Sequence, residues 1–124
     1  MPEIIMVTGG RDFDNRALAE HTLDAFVEPG DILLTGGAQG ADQIAMNHWH
    51  YTLQLPYITM PAAWDRQGRA AGAVRNLAML QGQAVEPFGD TTPSVVIAFP
   101  GGKGTAHAVK EAEKRGILVV RVRA

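Results

Sequence analysis

Apolar positions along this chain keep two rhythms. Short unbroken runs occur at Ile4–Thr8, Ile32–Thr35, 57–60, 94–99 and 117–122. Between them, apolar residues recur every three or four positions, the spacing of one helical face. Ala19, Leu23, Phe26 and Val27 predict a helix over 14–28, started by Asp14 or Asp12 and stopped by Pro29-Gly30. Ala41, Ile44, Ala45, His48 and Thr52 predict a second over 40–53, and a third is expected from about 69 to 81. Thr105, Ala108, Val109 and Ala112 mark a fourth, closed by Gly116 as its C-cap. The stretch 83–92, with Pro87 and Gly89, reads as loop. Arg121 and Arg123 alternate along the last run, which exposes one face or the end of that strand.

Strands without polar alternation, each separated by a helix, mean a parallel sheet covered on both faces. The expected fold class is α/β, a Rossmann-like three-layer sandwich formed by the single domain 1–124. Right-handed crossovers bring every strand's carboxyl end to the same edge. If the first strand is central and the chain winds outward and then back, a crevice opens between the first and fourth strands.

Three glycine clusters fall at strand-to-helix turns: VTGGRDF at 7–13, LTGGAQGAD at 34–42 and AFPGGKGT at 98–105. Turns stripped of side chains clear space beside their amides, and phosphate is the usual occupant of such space. In PGGKGT, Gly101, Gly102 and Gly104 follow Pro100 and Lys103 lies among them; Thr105 then opens a helix whose first amides point at the bound group. A tight turn alone could also demand these glycines. The motif is no Walker loop, since Ile97 and Gly104 occupy its Gly and Ser/Thr positions. His107 stands where the dinucleotide fingerprint needs its third glycine. Gly36 and Gly37 offer a second pair of amides. Asp42 can cap its helix or bind a ribose hydroxyl, capping being the preferred reading. Gly9 and Gly10 read as pocket floor, with Arg11 either countering a ligand charge or forming a surface salt bridge.

The third wall comes from PAAWDRQGRAAGAVRNLAML at 61–80. Gly72, Arg75, Asn76 and Met79 share one stripe of its helix, and Ala70, Val74, Leu77 and Ala78 are expected to take the core-facing one. Arg75 can then grip a phosphate or carboxylate with two hydrogen bonds. Trp64 either stacks on a base or lids the core. His48 and His50 are two apart on a helix with no third ligand near, so no metal site is expected.

Composition narrows the function. One domain of 124 residues, 46% hydrophobic and 19% charged, is an ordinary globular protein. A net charge of −2 disfavours nucleic acid and anionic membrane as partners. Without cysteine there is no disulfide, no Cys-ligated zinc and no thiol nucleophile. No charged leader or span-length apolar stretch is present, so the expected address is cytoplasmic.

The ordered motifs VTGGRDF, GGAQGAD, PAAW…G…AG..RN..M and AFPGGKGT, over about residues 5–120, closely resemble the YspA-like group of the SLOG (Smf/DprA-LOG) superfamily of Rossmann-like domains. That resemblance implies a five-stranded sheet of order 3-2-1-4-5 and a nucleotide or nucleotide-derived, ADP-ribose-like ligand on the glycine rim. It also implies a homo-oligomer, since relatives commonly pair through helices. No further cofactor is expected. The more distant LOG phosphoribohydrolases cleave nucleoside 5′-monophosphates and carry PGGxGTxxE with an Arg on the preceding helix. Arg75 matches that Arg, but the Glu falls on Ala108, and His107 and Glu111 are out of register. Glycoside cleavage through an oxocarbenium-like state normally needs that carboxylate. The expectation is therefore a sensor, carrier or sequestering protein, with Gly9, Gly10, Arg11, Gly36, Gly37, Asp42, Trp64, Arg75, Asn76, Pro100, Gly101, Gly102, Lys103, Gly104 and Thr105 around the ligand. The alternatives are an N-glycosidic hydrolase using Asp12, Asp42 or Glu111, and a DprA-like nucleic-acid-binding module.

Overall fold

The structure is a computed structural model that describes residues 3–63 and 68–123. In chain order it begins β1 (Ile4–Thr8), α1 (Arg16–Phe26), β2 (Ile32–Thr35) and α2 (Ala41–Asn47), the last running into a π-helical turn over His48–Leu53. Next come β3 (Tyr57–Thr59), a 3-10 turn over Gly68–Ala70, α3 (Ala71–Gln81) and a small hairpin of β4 (Ala84–Val85) and β5 (Gly89–Asp90). The chain closes with β6 (Val95–Ala98), α4 (Lys103–Lys114) and β7 (Leu118–Arg121).

β1 is the middle of a five-stranded, all-parallel sheet ordered β3-β2-β1-β6-β7. Counting the sheet strands alone, this is the expected 3-2-1-4-5. Because successive side chains point to opposite faces, the central strands β2, β1 and β6 each feed two cores. Ile5, Val7, Leu33, Ile97 and Phe99 pack with Ala19, Leu23, Ala41, Ala45 and Trp49, which come from α1, α2 and the π turn. Ile4, Met6, Leu34, Ile58 and Val96 pack with Met79 and Leu80 of α3 and Ala108 and Ala112 of α4. Burial on both faces explains why these central strands show no polar alternation. β7 is one of the two edge strands, with Leu118 and Arg121 exposed, as the alternating arginines suggest.

Local structure departs from the sequence expectation at four places. Neither Asp12 nor Asp14 caps α1; Asn15 does, its Oδ1 accepting from the Leu18 amide at 3.0 Å. The second helix loses α geometry at His48, where i→i+5 winding rotates the following residues. Trp49, four residues after Ala45, stays in the core, and the wider winding leaves Thr52 exposed. The segment 83–92 is not plain loop, because it holds the antiparallel pair β4–β5.

The fourth departure matters most. α3 buries Ala71, Asn76, Met79 and Leu80, while Val74 is 42% exposed and Ala70 faces solvent. The expected core stripe and the expected outer stripe are thus reversed. Apolar counting misses the reason: Arg75 and Asn76 turn inward because backbone carbonyls wait for them there. Among the described residues, no helix is long and apolar enough to cross a membrane.

Candidate functional site

The turn after β1 and the turn after β6 touch at the carboxyl edge of the sheet. The Gly10 amide donates to the Pro100 carbonyl at 2.9 Å, and the Ala41 amide donates to the Gly10 carbonyl at 3.2 Å. Gly40 makes this interlock possible. Its φ is +81°, and a Cβ there would overlap the Gly10 carbonyl oxygen. Three turns distant in sequence are therefore tied together by main-chain bonds, with the amide of Gly10 used for the tie.

Beside the tie, towards α3, lies an open cavity of about 610 Å³. Thr8, Gly9, Gly10 and Arg11 form one side; Ala38 and Asp42 come from the β2–α2 turn. Gly72, Ala73, Arg75 and Asn76 descend from α3, and Gly102, Lys103, Gly104, Thr105 and His107 rise from the start of α4. Its volume is within the range of small-molecule sites.

The N-terminus of α4 opens into this cavity. Its N-cap is Gly102, which makes no side-chain capping bond, so the first-turn amides of Lys103, Gly104 and Thr105 lack the usual protein acceptor. The twelve-residue helix adds its dipole there. Gly102 and Gly104 differ from the other rim glycines: a Cβ on either would meet nothing within 4 Å, and neither has a positive φ. Packing of the chain does not require glycine at either place.

Arg75 is fixed by its own surroundings. Its Nη1 donates to the Gly36 carbonyl at 3.2 Å and its Nε to Asn76 Oδ1 at 3.1 Å. Asn76 in turn donates from Nδ2 to the Gly104 carbonyl at 3.3 Å, joining α3 to the first turn of α4. Partial burial lowers the Arg75 pKa; Asp42 pulls it up and the nearby Arg11 guanidinium pushes it down. Asp42 is only 6% exposed, and burial raises its pKa against the opposing effects of the Ala38 amide, the Thr35 hydroxyl, Arg75 and the Gly36 backbone. Its Oδ2 accepts from the Ala38 amide at 3.2 Å, so it braces the β2–α2 turn rather than capping α2 in the usual way. Among the described residues, the cavity wall carries Arg11, Arg75 and Lys103 and one carboxylate, Asp42.

Not every expected residue reaches this cavity. Gly36 lies beneath Arg75 and Gly37 beside Thr59, and both are off the cavity wall. Their part is to let Arg75 approach and the turn bend. Pro100 and Gly101 line an adjoining cavity on the other side of the PGGKGT turn. Trp64 lies outside the described residues. Of the three carboxylates considered as catalytic stand-ins, only Asp42 is on the wall. Glu111 is paired with Lys114 and Arg115 at 3.2 and 3.0 Å. Asp12 is exposed and off the wall. Ala108, at the position of the missing Glu, is fully buried in the core.

Sequence reasoning passed over His107 and Ala38 as wall residues. His107 carries a buried Nδ1 without a hydrogen-bond partner among the described residues. Its position two past Thr105, on the pocket-facing turn of α4, was the available signal. His48 is buried, its Nε2 2.7 Å from Asp24, and His50 is exposed, stacked edge-on with Tyr51 and Tyr57.

A model of the YspA, cpYpsA-related SLOG family matches residues 3–67. The chain is also similar to the Gene 61 protein of Mycobacterium phage D29, at 32% identity over 126 residues, covering 94% of this chain and 93% of that protein.

Proposed function

From the chain's membership of the YspA, cpYpsA-related SLOG family, we propose that it binds a nucleotide or a nucleotide-derived, ADP-ribose-like ligand, as a sensor, carrier or sequestering protein. One observation carries the proposal. On a chain of net charge −2, three cationic side chains and an uncapped helix N-terminus converge on one cavity of nucleotide size. Phosphate would sit on the amides of Lys103, Gly104 and Thr105, with the guanidinium of Arg75 across from it. Such a cradle recognises phosphate without reading a base, which suits a ligand defined by its phosphates. Mass spectrometry of small molecules released from the purified, heat-denatured protein tests the proposal. A co-purifying nucleotide supports it, and a protein that neither carries nor binds one refutes it.

A second reading rests on Asp42. Its buried carboxylate, with a raised pKa and a place on the cavity wall, has the surroundings of a general acid or base. An N-glycosidic hydrolase would use it in place of the Glu absent at Ala108. Incubation with AMP, NAD and ADP-ribose, followed by assay for released base, separates the readings. Release abolished by Asp42→Asn would identify an enzyme.

Assembly into a homo-oligomer belongs to the same proposal. The outward stripe of α3, with exposed Val74 and half-buried Leu77 and Ala78, offers an apolar surface for it. Light scattering tests that point.

A further inference from the structure

We infer that the ligand has two arms joined through its phosphates, and that the second arm occupies the cavity between α4 and β7. The inference rests on the nucleotide-binding reading and specifies the class of ligand. It starts from the second cavity, of about 360 Å³, on the far side of the PGGKGT turn. Gly102 and Thr105 line both cavities, so the two are neighbours across a wall one turn of backbone thick.

That wall is low because of Gly102. A Cβ at this position would project into open space, so no neighbouring atom calls for glycine here. A side chain would stand on the ridge between the cavities, whereas bare backbone lets one molecule cross it. The crossing point is also where the first-turn amides of α4 begin, the place best suited to an anion.

The second cavity differs in character from the first. Its wall includes Phe99, Pro100, Ala106, Val109 and Val122, an apolar surface suited to a flat ring system. Among the described residues, Lys110, Arg121 and Arg123 face one carboxylate there, Glu113, which is held by Arg121 at 3.0 Å. The remaining positive charge favours an arm attached to phosphate over a neutral or cationic one. A molecule with a ring system at each end and a pyrophosphate between them meets all three demands. A mononucleotide seated on the α4 amides would leave the second cavity empty.

Calorimetric titration with ADP and with P1,P2-diadenosine diphosphate tests this, because the second probe adds an adenosine on the same pyrophosphate while losing, not gaining, negative charge. Ala106 is exposed and lines the second cavity but not the first, so Ala106→Trp fills one without touching the other. Wild type is expected to bind the two-armed probe at least about tenfold tighter than ADP, and Ala106→Trp to erase that preference while binding ADP as wild type does. ADP binding by the variant also reports that it is folded. If wild type binds both probes equally, or if the preference survives in Ala106→Trp, the two-armed ligand is ruled out and phosphate binding stands. If wild type binds neither probe, both proposals fall.

Discussion

The Nη1 of Arg75 reaches the carbonyl oxygen of Gly36, 39 residues earlier in the chain, at 3.2 Å. It can lie there only because Gly36 has no side chain; a Cβ at that position would overlap the guanidinium. The obstacle would be the tip of a flexible side chain, not backbone. Gly36→Ala should therefore fold normally but displace Arg75 from its post. Loss of one charge-assisted hydrogen bond to a bound phosphate weakens binding by about 1.5–3 kcal/mol. AMP titration of Gly36→Ala should show that loss, with a melting temperature close to wild type.

Arg75→Lys separates charge from geometry. Lysine keeps the positive charge but cannot form the planar fork or span Gly36 and Asn76 together. The variant should bind AMP about tenfold or more weakly than wild type and show a similar dependence on salt. Equal affinity in the two proteins would mean that Arg75 acts only as a point charge.

The rim glycines divide into two groups with opposite expectations. Gly40→Ala forces a positive φ on a side chain and drives a Cβ against the Gly10 and Arg11 carbonyls. It should cost about 3 kcal/mol or more, read as a large fall in melting temperature. Gly104→Ala meets open space within the first turn of α4 and should leave stability unchanged, or raise it by up to about 1 kcal/mol. Its effect should fall on ligand affinity instead. Thermal melts and AMP titrations of both variants check the division.

Asp42 makes stability depend on pH in a defined direction. Burial raises its pKa in the folded protein above the unfolded value of 3.8. Between those two values the folded state holds more protons than the unfolded one, so this carboxylate's contribution to stability falls as pH rises. The full penalty is present above the folded pKa and is relieved on acidification. Asp42→Asn removes it and keeps an oxygen for the Ala38 amide. The melting temperature of Asp42→Asn minus that of wild type should grow from acid towards neutral pH. A difference that stays flat would show that Asp42 ionises freely.

The sheet was legible because its central strands are buried on both faces and helical spacing separates the strands. Ile5 and Met6 feed opposite cores, and only an unbroken apolar run allows that. The convergence of the glycine turns followed from topology alone. Orientation of α3 was not legible. Arg75 and Asn76 face inward to meet carbonyls of Gly36 and Gly104, partners that exist only once the chain has folded. The π turn at His48 was hidden for a similar reason, since wider winding leaves no mark in the residue types and turns Thr52 out to solvent. The sequence marks the rim glycines but does not sort them. Whether a glycine relieves a contact, as Gly40 does, or faces empty space, as Gly104 does, depends on neighbours from other segments.

The most direct test is a titration of the ¹⁵N-labelled protein with AMP, followed by amide and arginine side-chain NMR shifts. Saturable changes should concentrate at Gly102, Lys103, Gly104 and Thr105, at Gly9 to Arg11, and at the Nε–H of Arg75. Arg75→Ala should abolish them. The absence of any saturable shift, or shifts gathered on α1 and β3 with this rim unmoved, would contradict the assignment of the site.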